Sequence, residues 1–393
     1  MTNESDIAKG EETTFTSKII RIQEGIIIRS NVVFNQCVVF FECKNYTAIR
    51  IDKGKLLLHN CHIVIKQEVR GPVINNVGGD IILKNCRMED ARLINSKDIE
   101  NDNDTACFIS VDNYYKNEKV SASLMNCKFI NCSHTILRLL GNIEVKITEC
   151  KIKKHKGHFL FLSSNLNHKG ILVADTNFEG CSMLTDYNAN EIFSNHDKKN
   201  ALIYTQYSSY NLLNCTFTDI NNSVLIGDAC DGNHGIRHCT FQKIFLGYHN
   251  EIVLKTGGGT NLISNCVFDE ISGISIGNIG ELVNEQSYLD HCRFVKCNGN
   301  IQLDGIFMTD CELNHCVSSS DLISLKGKAS FGQHIISEIE NCTFINCKAQ
   351  DNLIAIHSNL SKNGICSQVV DCKFIGCMAY EGEFIKMGDW DEG

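Results

Sequence analysis

The sequence predicts an all-β fold, a parallel solenoid in which about thirteen three-stranded coils are stacked. Three observations support this prediction. A unit of the form polar–Cys–x–Phe–x–x–Cys recurs along the chain, for example at residues 126–132 and 341–347. Most repeats of the unit are 19 to 31 residues apart, which suits one turn of a three-sided solenoid. Pro72 is the only proline, as expected of a backbone whose N–H groups are mostly used in β-ladders.

The first cysteine position of the unit defines thirteen anchors, and a polar residue precedes each of them. That polar residue is Asn at six of the thirteen. Asn tolerates the left-handed backbone conformation of a sharp corner, and stacked Asn side chains can hydrogen-bond to one another. We therefore predict a corner immediately before each anchor. The anchors are Cys37, Cys61, Cys86, Cys127, Cys150, Thr176, Cys215, Cys239, Cys266, Cys292, Cys311, Cys342 and Cys372.

The strand after the corner carries Cys and Phe two residues apart, so both side chains point to the same face. Of the twenty-two cysteines, nineteen follow the repeat, and Cys107, Cys230 and Cys366 do not. Buried Cys acts as a small apolar side chain. Zinc ligands usually come as Cys-x₂₋₄-Cys paired with a second knuckle, whereas here Cys-x₄-Cys repeats along the whole solenoid with Phe between the two Cys, as packing would demand. We predict that the periodic Cys and Phe fill the interior, and we expect neither a metal site nor a cofactor.

This unit resembles that of the right-handed parallel β-helix superfamily, which includes pectate lyases, polygalacturonases and phage tailspikes. The resemblance extends from Val32 to Met387 and implies the β-helix fold. Because β-helices carry many different activities, it leaves the function open.

The pattern predicts three regions: a polar tail with an apolar cap at 1–31, the β-helix at 32–387, and an acidic tail at 388–393. Two anchor intervals, of 41 and 39 residues, are much longer than the others. They predict loop insertions near 98–119 and 185–209.

Six of the ten tyrosines lie in or beside these two insertions. Tyr is common on recognition surfaces, so we predict that they bind a protein partner. The alternative, that they pack the loops onto the solenoid, stays open. The six residues are Tyr114, Tyr115, Tyr187, Tyr204, Tyr207 and Tyr210.

Asp228, Asp231 and His234 form the one local cluster that could supply an acid and a base for glycoside chemistry. The cluster is similar to the paired Asp and Gly-His-Gly elements of polygalacturonases. It has neither their Asn-Thr-Asp element nor their Arg-x-Lys element. Its glycines are typical of a corner loop, so we predict that no coherent acid–base pair forms there.

The chain has 37 basic and 46 acidic residues, a net charge of −9, which argues against nonspecific nucleic-acid binding. Its one basic concentration is Lys151–Lys156, which could grip a polyanion or form a solvated face. We find no signal-peptide pattern and no apolar run long enough to span a membrane. With so many cysteines, we expect reduced thiols, a cytoplasmic location and no membrane partner.

These observations favour a non-catalytic scaffold or binding protein that recognises a protein through its insertion loops. A carbohydrate-active hydrolase or lyase is the alternative, with carbohydrate as the partner. A third hypothesis is an adhesin like a phage or viral tailspike, which would form a homo-oligomer.

Overall fold

The computed structural model describes 12–43, 47–65, 72–91, 107–113, 120–133, 135–141, 143–182, 201–221, 224–228, 234–245, 254–255, 260–277, 287–330, 333–335, 337–358 and 367–388. In these ranges every regular element is a β-strand, which confirms the predicted fold class. A search of the same residues for a helix long and apolar enough to cross a membrane finds none. The chain divides into two compact units. Unit 1 is built within residues 1–192 and 202–208, and unit 2 within 193–201 and 209–393.

Each coil has three sides, and a polar corner residue separates side 1 from side 2. Unit 1 has seven described coils. Its side 1 strands are Thr13–Thr16, Val32–Asn35, Lys55–His59, Asp80–Lys84, Val120–Met125, Ile143–Thr148 and the second half of Leu160–Ala174. Its side 2 strands are Ile19–Ile22, Val38–Phe41, His62–Ile65, Arg87–Glu89, Lys128–Ile130, Lys151–Lys153 and Asn177–Glu179. Its side 3 strands are Ile26–Ile28, Ile49–Ile51, Ile74–Asn76, Cys107–Asn113, Thr135–Gly141 and the first half of Leu160–Ala174.

Unit 2 also has seven described coils. Its side 1 strands are the end of Ala201–Leu213, then His234–Arg237, Asn261–Ser264, Ser287–Asp290, Ile306–Thr309, Glu338–Glu340 and Gln368–Val370. Its side 2 strands are Thr216–Asn221, Thr240–Phe245, Val267–Ile271, Arg293–Val295, Glu312–Asn314, Thr343–Ile345 and Lys373–Ile375. Its side 3 strands are Val224–Asp228, Leu254–Lys255, Ile274–Gly277, Ile301–Asp304, Ile323–Ser330, Ile354–Ser358 and Ile385–Gly388. The short strands Val317–Ser318, Lys348–Ala349 and Met378–Ala379 follow side 2, and Gln333–Ile335 forms an antiparallel hairpin with Ile323–Ser330.

The predicted corner is present in every described coil. All fourteen residues at this position have φ between 49° and 57°, in the left-handed region. The ladder hydrogen bonds continue through the turn, since the Asn126 N–H donates to the Thr148 carbonyl in the next coil (2.9 Å). The predicted Asn stacking also occurs. Asn126 Nδ2 donates to Asn85 Oδ1 (2.8 Å), and Asn85 Nδ2 donates to Asn60 Oδ1 (3.0 Å).

A second left-handed corner closes side 2 in most coils, immediately before the second Cys position of the repeat. In the coil of Asn126 this second corner is Asn131, with φ 52°. Three strand residues separate the corner regions, and the middle one, Phe129, points inward. Because two sharp turns lie so close together, the Cys and Phe positions within each unit keep a fixed spacing.

The periodic Cys and Phe are buried together, as predicted. In unit 1, Cys127 and Phe129 are each 1% exposed. In unit 2, the rings of Phe217, Phe241, Phe268 and Phe294 stack coil upon coil, with centroids 4.8 to 5.1 Å apart and planes within 10°. This spacing is close to that of neighbouring strands, so the ladder itself brings the rings into offset contact.

The predicted cap forms a complete first coil. Thr13–Thr16 pairs in parallel with Val32–Asn35, and Ile19–Ile22 pairs with Val38–Phe41. Phe15 is buried in this coil. The last described coil of unit 2 is different. Its inward Cys372, Phe374 and Cys377 are partly exposed, although their counterparts one coil earlier are fully buried.

Neither long interval is a loop throughout. The strand Cys107–Asn113 lies inside the predicted insertion at 98–119 and pairs with Ile74–Asn76 and Thr135–Gly141. The strand Ala201–Leu213 begins inside the insertion predicted at 185–209. These parts of the prediction were wrong, because both segments carry apolar residues that complete a coil. Residues 183–200 lie outside the described residues.

The corner geometry predicts how substitutions of Asn126 rank. Asn126→Ala should lower the free energy of unfolding by about 1–2 kcal/mol, because Ala lacks the polar side chain by which Asn tolerates positive φ, and because the amide ladder is lost. Asn126→Gly should lower it less, because Gly adopts this conformation freely. Urea denaturation of both variants checks the order, and equal losses would contradict the role given to φ.

The stacked rings predict a large effect at Phe241. Phe241→Ala should destabilise the protein by about 3–5 kcal/mol, because the cavity lies between two aromatic neighbours. Val267→Ala is a matched control on the outward face of the next coil, and we expect a loss below about 1 kcal/mol. Thermal and urea unfolding of both variants measure the difference.

Candidate functional site

The histidine of the cluster formed by Asp228, Asp231 and His234 does not reach the surface. His234 is 2% exposed, and its ring stacks on Tyr210 of the preceding coil at 4.2 Å between centroids. Asp228 ends the strand Val224–Asp228, and Asp231 lies outside the described residues. A buried His234 is not available to a substrate on the outer face. His234 was a weak candidate in a cluster where no coherent acid–base pair was expected, and strand alternation turns this residue inward.

Two predicted binding tyrosines are also inside. Tyr204 is 2% exposed and stacks on Phe161, and Tyr210 is fully buried. Both belong to the strand Ala201–Leu213, so they pack the core, and their assignment to a recognition surface was wrong. Tyr207 lies in the same strand. Tyr114, Tyr115 and Tyr187 lie outside the described residues, and their role stays a prediction.

His234 belongs to a column of buried polar side chains. Tyr210, His234, Asn261 and Ser287 occupy the same inward position in successive coils of unit 2, and all are buried. Asn261 Nδ2 donates to Ser287 Oγ (3.0 Å), and the Asn261 backbone N–H donates to the same oxygen (3.1 Å). These bonds fix the start of the strand Ser287–Asp290, which carries the surface residues described next.

An aromatic pair lies on the outer face of side 1 in unit 2. Tyr288 and Phe307 are aligned near-neighbours on adjacent strands, with ring centroids 5.8 Å apart and planes at 18°. Tyr288 is 44% exposed, so its ring borders solvent. Both residues alternate with the buried Leu289 and Met308, which explains why they point outward. The pair forms an apolar platform on this outer face.

Carboxylate and imidazole groups adjoin this platform, two to three residues further along the same strands. The donor atoms of Asp290, His291 and Asp310 lie within 4.8 Å of one another. His291 Nδ1 is 2.7 Å from Asp290 Oδ1, and Thr309 Oγ1 donates to the same oxygen (2.9 Å). The Asn341 amide donates to Asp310 Oδ1. Such a group can accept hydrogen bonds from sugar hydroxyls, and its spacing would also allow it to ligate a cation.

The outer face was not predicted from the sequence because His291 and Asp310 occupy corner positions, where polar residues are expected for structural reasons. One signal was present. The interval from Cys292 to Cys311 is the shortest in the chain, at 19 residues. In this coil Gly305, with φ 67°, alone joins the strands Ile301–Asp304 and Ile306–Thr309.

The chain was compared with protein families, curated proteins and solved structures. No protein-family model matches the chain, and no curated protein matches it. Among solved structures, it is similar to the catalytic unit of a thermostable GH87 α-1,3-glucanase from Streptomyces thermodiastaticus strain HF3-3, with 10% identity and a TM-score of 0.45. That match covers 97% of this chain and 66% of the glucanase chain. The periplasmic alginate epimerase AlgG matches with 8% identity and a TM-score of 0.38, over 92% of this chain and 78% of AlgG.

The chain spans 63% of another similar structure, the catalytic domain of a GH87 α-1,3-glucanase in complex with nigerose (8% identity, TM-score 0.35, 96% of this chain). These structural neighbours are carbohydrate-active enzymes. The fold itself follows from the parallel ladders that join the described coils. The chain is a parallel β-helix.

The cysteines contribute to the core. All twenty described cysteines are free thiols, and eighteen of them are buried. Their sulfur atoms donate to backbone carbonyls, as Cys61 Sγ does to Phe34 (3.2 Å) and His59 (3.3 Å). Burial raises the pKa of Cys132 to about 12, and it raises the pKa of Cys181 to the same value. Such thiols are almost entirely protonated near neutral pH, which makes them poor nucleophiles and poor metal ligands.

Thiol reactivity in the folded protein follows from this burial. With Cys230 and Cys366 replaced by Ser, we expect Cys372 and Cys377 to react first with an aromatic disulfide reagent at pH 8. A thiol with a pKa of about 12, such as that of Cys132, has roughly one thiolate per ten thousand molecules at this pH. Burial also keeps the reagent away from the other interior thiols, so the buried thiols should react far more slowly. After unfolding in urea without reductant, all twenty should react. Rapid modification of many thiols in the folded protein would contradict the predicted packing.

Proposed function

We propose that this protein is a carbohydrate-binding β-helix, and that unit 2 holds a polysaccharide on the outer face of side 1. The observation that carries the proposal is the exposed Tyr288–Phe307 pair beside Asp290, His291 and Asp310. The face of a sugar ring that carries its C–H groups is apolar, so it can cover an aromatic ring and remove both surfaces from water. A platform of two rings on adjacent coils offers this contact to neighbouring sugar units.

The polar groups beside the platform would orient a bound sugar. Sugar hydroxyls donate well to carboxylates, and hydrogen bonds to a charged group are stronger than neutral ones. Asp290 and Asp310 lie near the corner, at the end of the strands that carry the two rings. A sugar stacked on Tyr288 would therefore have carboxylates to one side, at a distance set by the rise of about 3.3 Å per strand residue.

A second candidate function is glycoside hydrolysis at the same face. Retaining glycosidases place two carboxyl groups about 5–5.5 Å apart, one as acid–base and one as nucleophile. The oxygens of Asp290 and Asp310 approach within 4.8 Å, which favours this chemistry over the cluster at Asp228. In this scheme one carboxylate would attack the anomeric carbon while the other carboxyl group protonates the leaving oxygen.

The other sequence hypotheses remain proposals. Recognition of a protein partner would depend on Tyr114, Tyr115, Tyr187 and Tyr207. We also propose that the protein works in a reducing, cytoplasm-like compartment. The twenty described free thiols support this location.

Affinity electrophoresis in gels containing neutral soluble polysaccharides tests the binding proposal. We expect at least one polysaccharide to retard the protein, and Tyr288→Ala to weaken its binding about tenfold, which corresponds to about 1.4 kcal/mol. Tyr380→Ala is the matched control, because Tyr380 is 56% exposed in the last coil of the same unit. Equal effects of the two substitutions, or no retardation by any polysaccharide, would contradict the proposal.

The same preparations separate binding from hydrolysis. Release of reducing ends from a bound polysaccharide, abolished by Asp290→Asn and by Asp310→Asn with binding retained, would establish the enzyme. Retention without release of reducing ends would identify a binding protein. Circular dichroism of each variant checks that the β-helix is intact.

A further inference from the structure

The basic run at residues 151–156 takes a definite arrangement in unit 1. Within the strand Lys151–Lys153, Lys151 is exposed and Ile152 is buried between its two lysine neighbours. Lys154 forms the second corner with φ 51°, His155 is buried, and Lys156 is exposed. The alternation turns the lysines outward, so a run that is short in sequence becomes one continuous surface.

This surface continues onto the two preceding coils. The ladder register aligns Lys151 with Lys128, and Lys128 with Arg87. Neighbouring strands are about 4.8 Å apart, so three cationic side chains leave the sheet in a single column. We call the group formed by Arg87, Lys128, Lys151, Lys154 and Lys156 the basic face. Like charges directly opposite each other in a sheet are destabilising, so this column carries an electrostatic cost.

The fold does not require like charges to be aligned at this register position. At the same register position in unit 2, Arg293 is followed by Glu312 in the next coil, and the two form an ion pair at 3.3 Å. In unit 1, Glu89 pairs with Arg87 and Glu179 pairs with Lys153. Within the part of the chain that the structure describes, Lys128 and Lys151 have no ion-pair partner. An anionic ligand would therefore relieve repulsion that the protein leaves in place.

A row of amide groups adjoins the basic column. Asn85 and Asn126 lie two residues before Arg87 and Lys128 and are joined in this ladder. Asn60 continues the ladder into the coil of His62, and Glu149 holds the same corner position before Lys151. Each ladder bond uses one N–H of the donating Asn, and a primary amide has two. The face thus offers hydrogen-bond donors for hydroxyl oxygens next to cations for acidic groups.

We propose that the basic face is a second binding surface, which takes the anionic groups of an acidic polysaccharide lying across successive coils. It belongs to unit 1, and it does not depend on the aromatic platform of unit 2. A polysaccharide suits it because each sugar presents hydroxyls together with its acidic group, matching the paired amide and cationic rows. A nucleic acid suits it less well. Single strands need aromatic side chains for base stacking, whereas the outward neighbours of Lys128 and Lys151 are Ile130 and Lys153.

The test compares two polymers that share one backbone. Carboxymethyl dextran and neutral dextran differ in charge only, and biolayer interferometry measures the binding of each at low salt. In a Tyr288→Ala background, which removes the proposed platform of unit 2, we expect carboxymethyl dextran to bind and neutral dextran not to bind. Replacing both Lys128 and Lys151 by Gln should weaken binding about tenfold. Added salt should weaken it as well, through loss of counterion release.

The matched control removes two other exposed lysines. Lys373 occupies the same register position as Lys128 in the last coil of unit 2, and Lys386 is also exposed there. The double Gln variant at these positions should change the affinity less than about twofold. Equal losses in the two double variants would show that net charge alone governs binding, and would overturn the proposal.

A nucleic-acid arm completes the experiment. An oligo(dT) strand that binds more tightly than carboxymethyl dextran, and is lost in the Lys128 and Lys151 variant, would also overturn it. Failure of Tyr288→Ala to affect neutral polysaccharides would count against the platform of unit 2 and leave the basic face standing.

Discussion

In both units the chain turns through a residue with positive φ before each side 2 strand, and the ladder hydrogen bonds run on through that turn. The corner sets the other features of the coil. At the thirteen anchors it places the next residue in the interior, and that residue is Cys at twelve of them. It also leaves three strand residues before the second corner, as between Asn126 and Asn131. Only the middle one faces the core, and Phe is the usual choice there.

The two units use the same backbone for different interiors. Unit 1 fills its inward side 1 positions with apolar residues such as Leu56, Ile81 and Val145. Unit 2 places Tyr210, His234, Asn261 and Ser287 at an equivalent position, joined in part by hydrogen bonds. Buried polar groups are tolerated when they are bonded, and they specify one register more strictly than apolar contacts do. The polar column thus helps to align the strands that carry the aromatic platform.

The repeat, the corners, the Asn ladder and the buried Cys–Phe pairs could all be predicted, because each depends on a few neighbouring residues and recurs in every coil. The position of His234 could not be predicted in the same way. Whether a residue faces in or out depends on counting from the corner, and Gly-rich turns obscure that count. Tyr204 and Tyr210 were misplaced for a similar reason, since their strand lies beside a long interval. Asp310 was recognised only as a corner residue, because its neighbours in space are nineteen to thirty-one residues away in sequence.

Strand alternation divides the residues of each coil into an inward-facing set that packs the core and an outward-facing set that forms the surface. Exchanging Arg87 or Lys128 alters a surface and leaves the interior untouched, whereas exchanging Phe129 does the reverse. A protein built in this way can acquire a new outer face one column at a time while its inner half stays constant. For protein engineering, the outer columns form a lattice of fixed spacing on which charged, aromatic or amide groups can be placed without changing the packing of the interior.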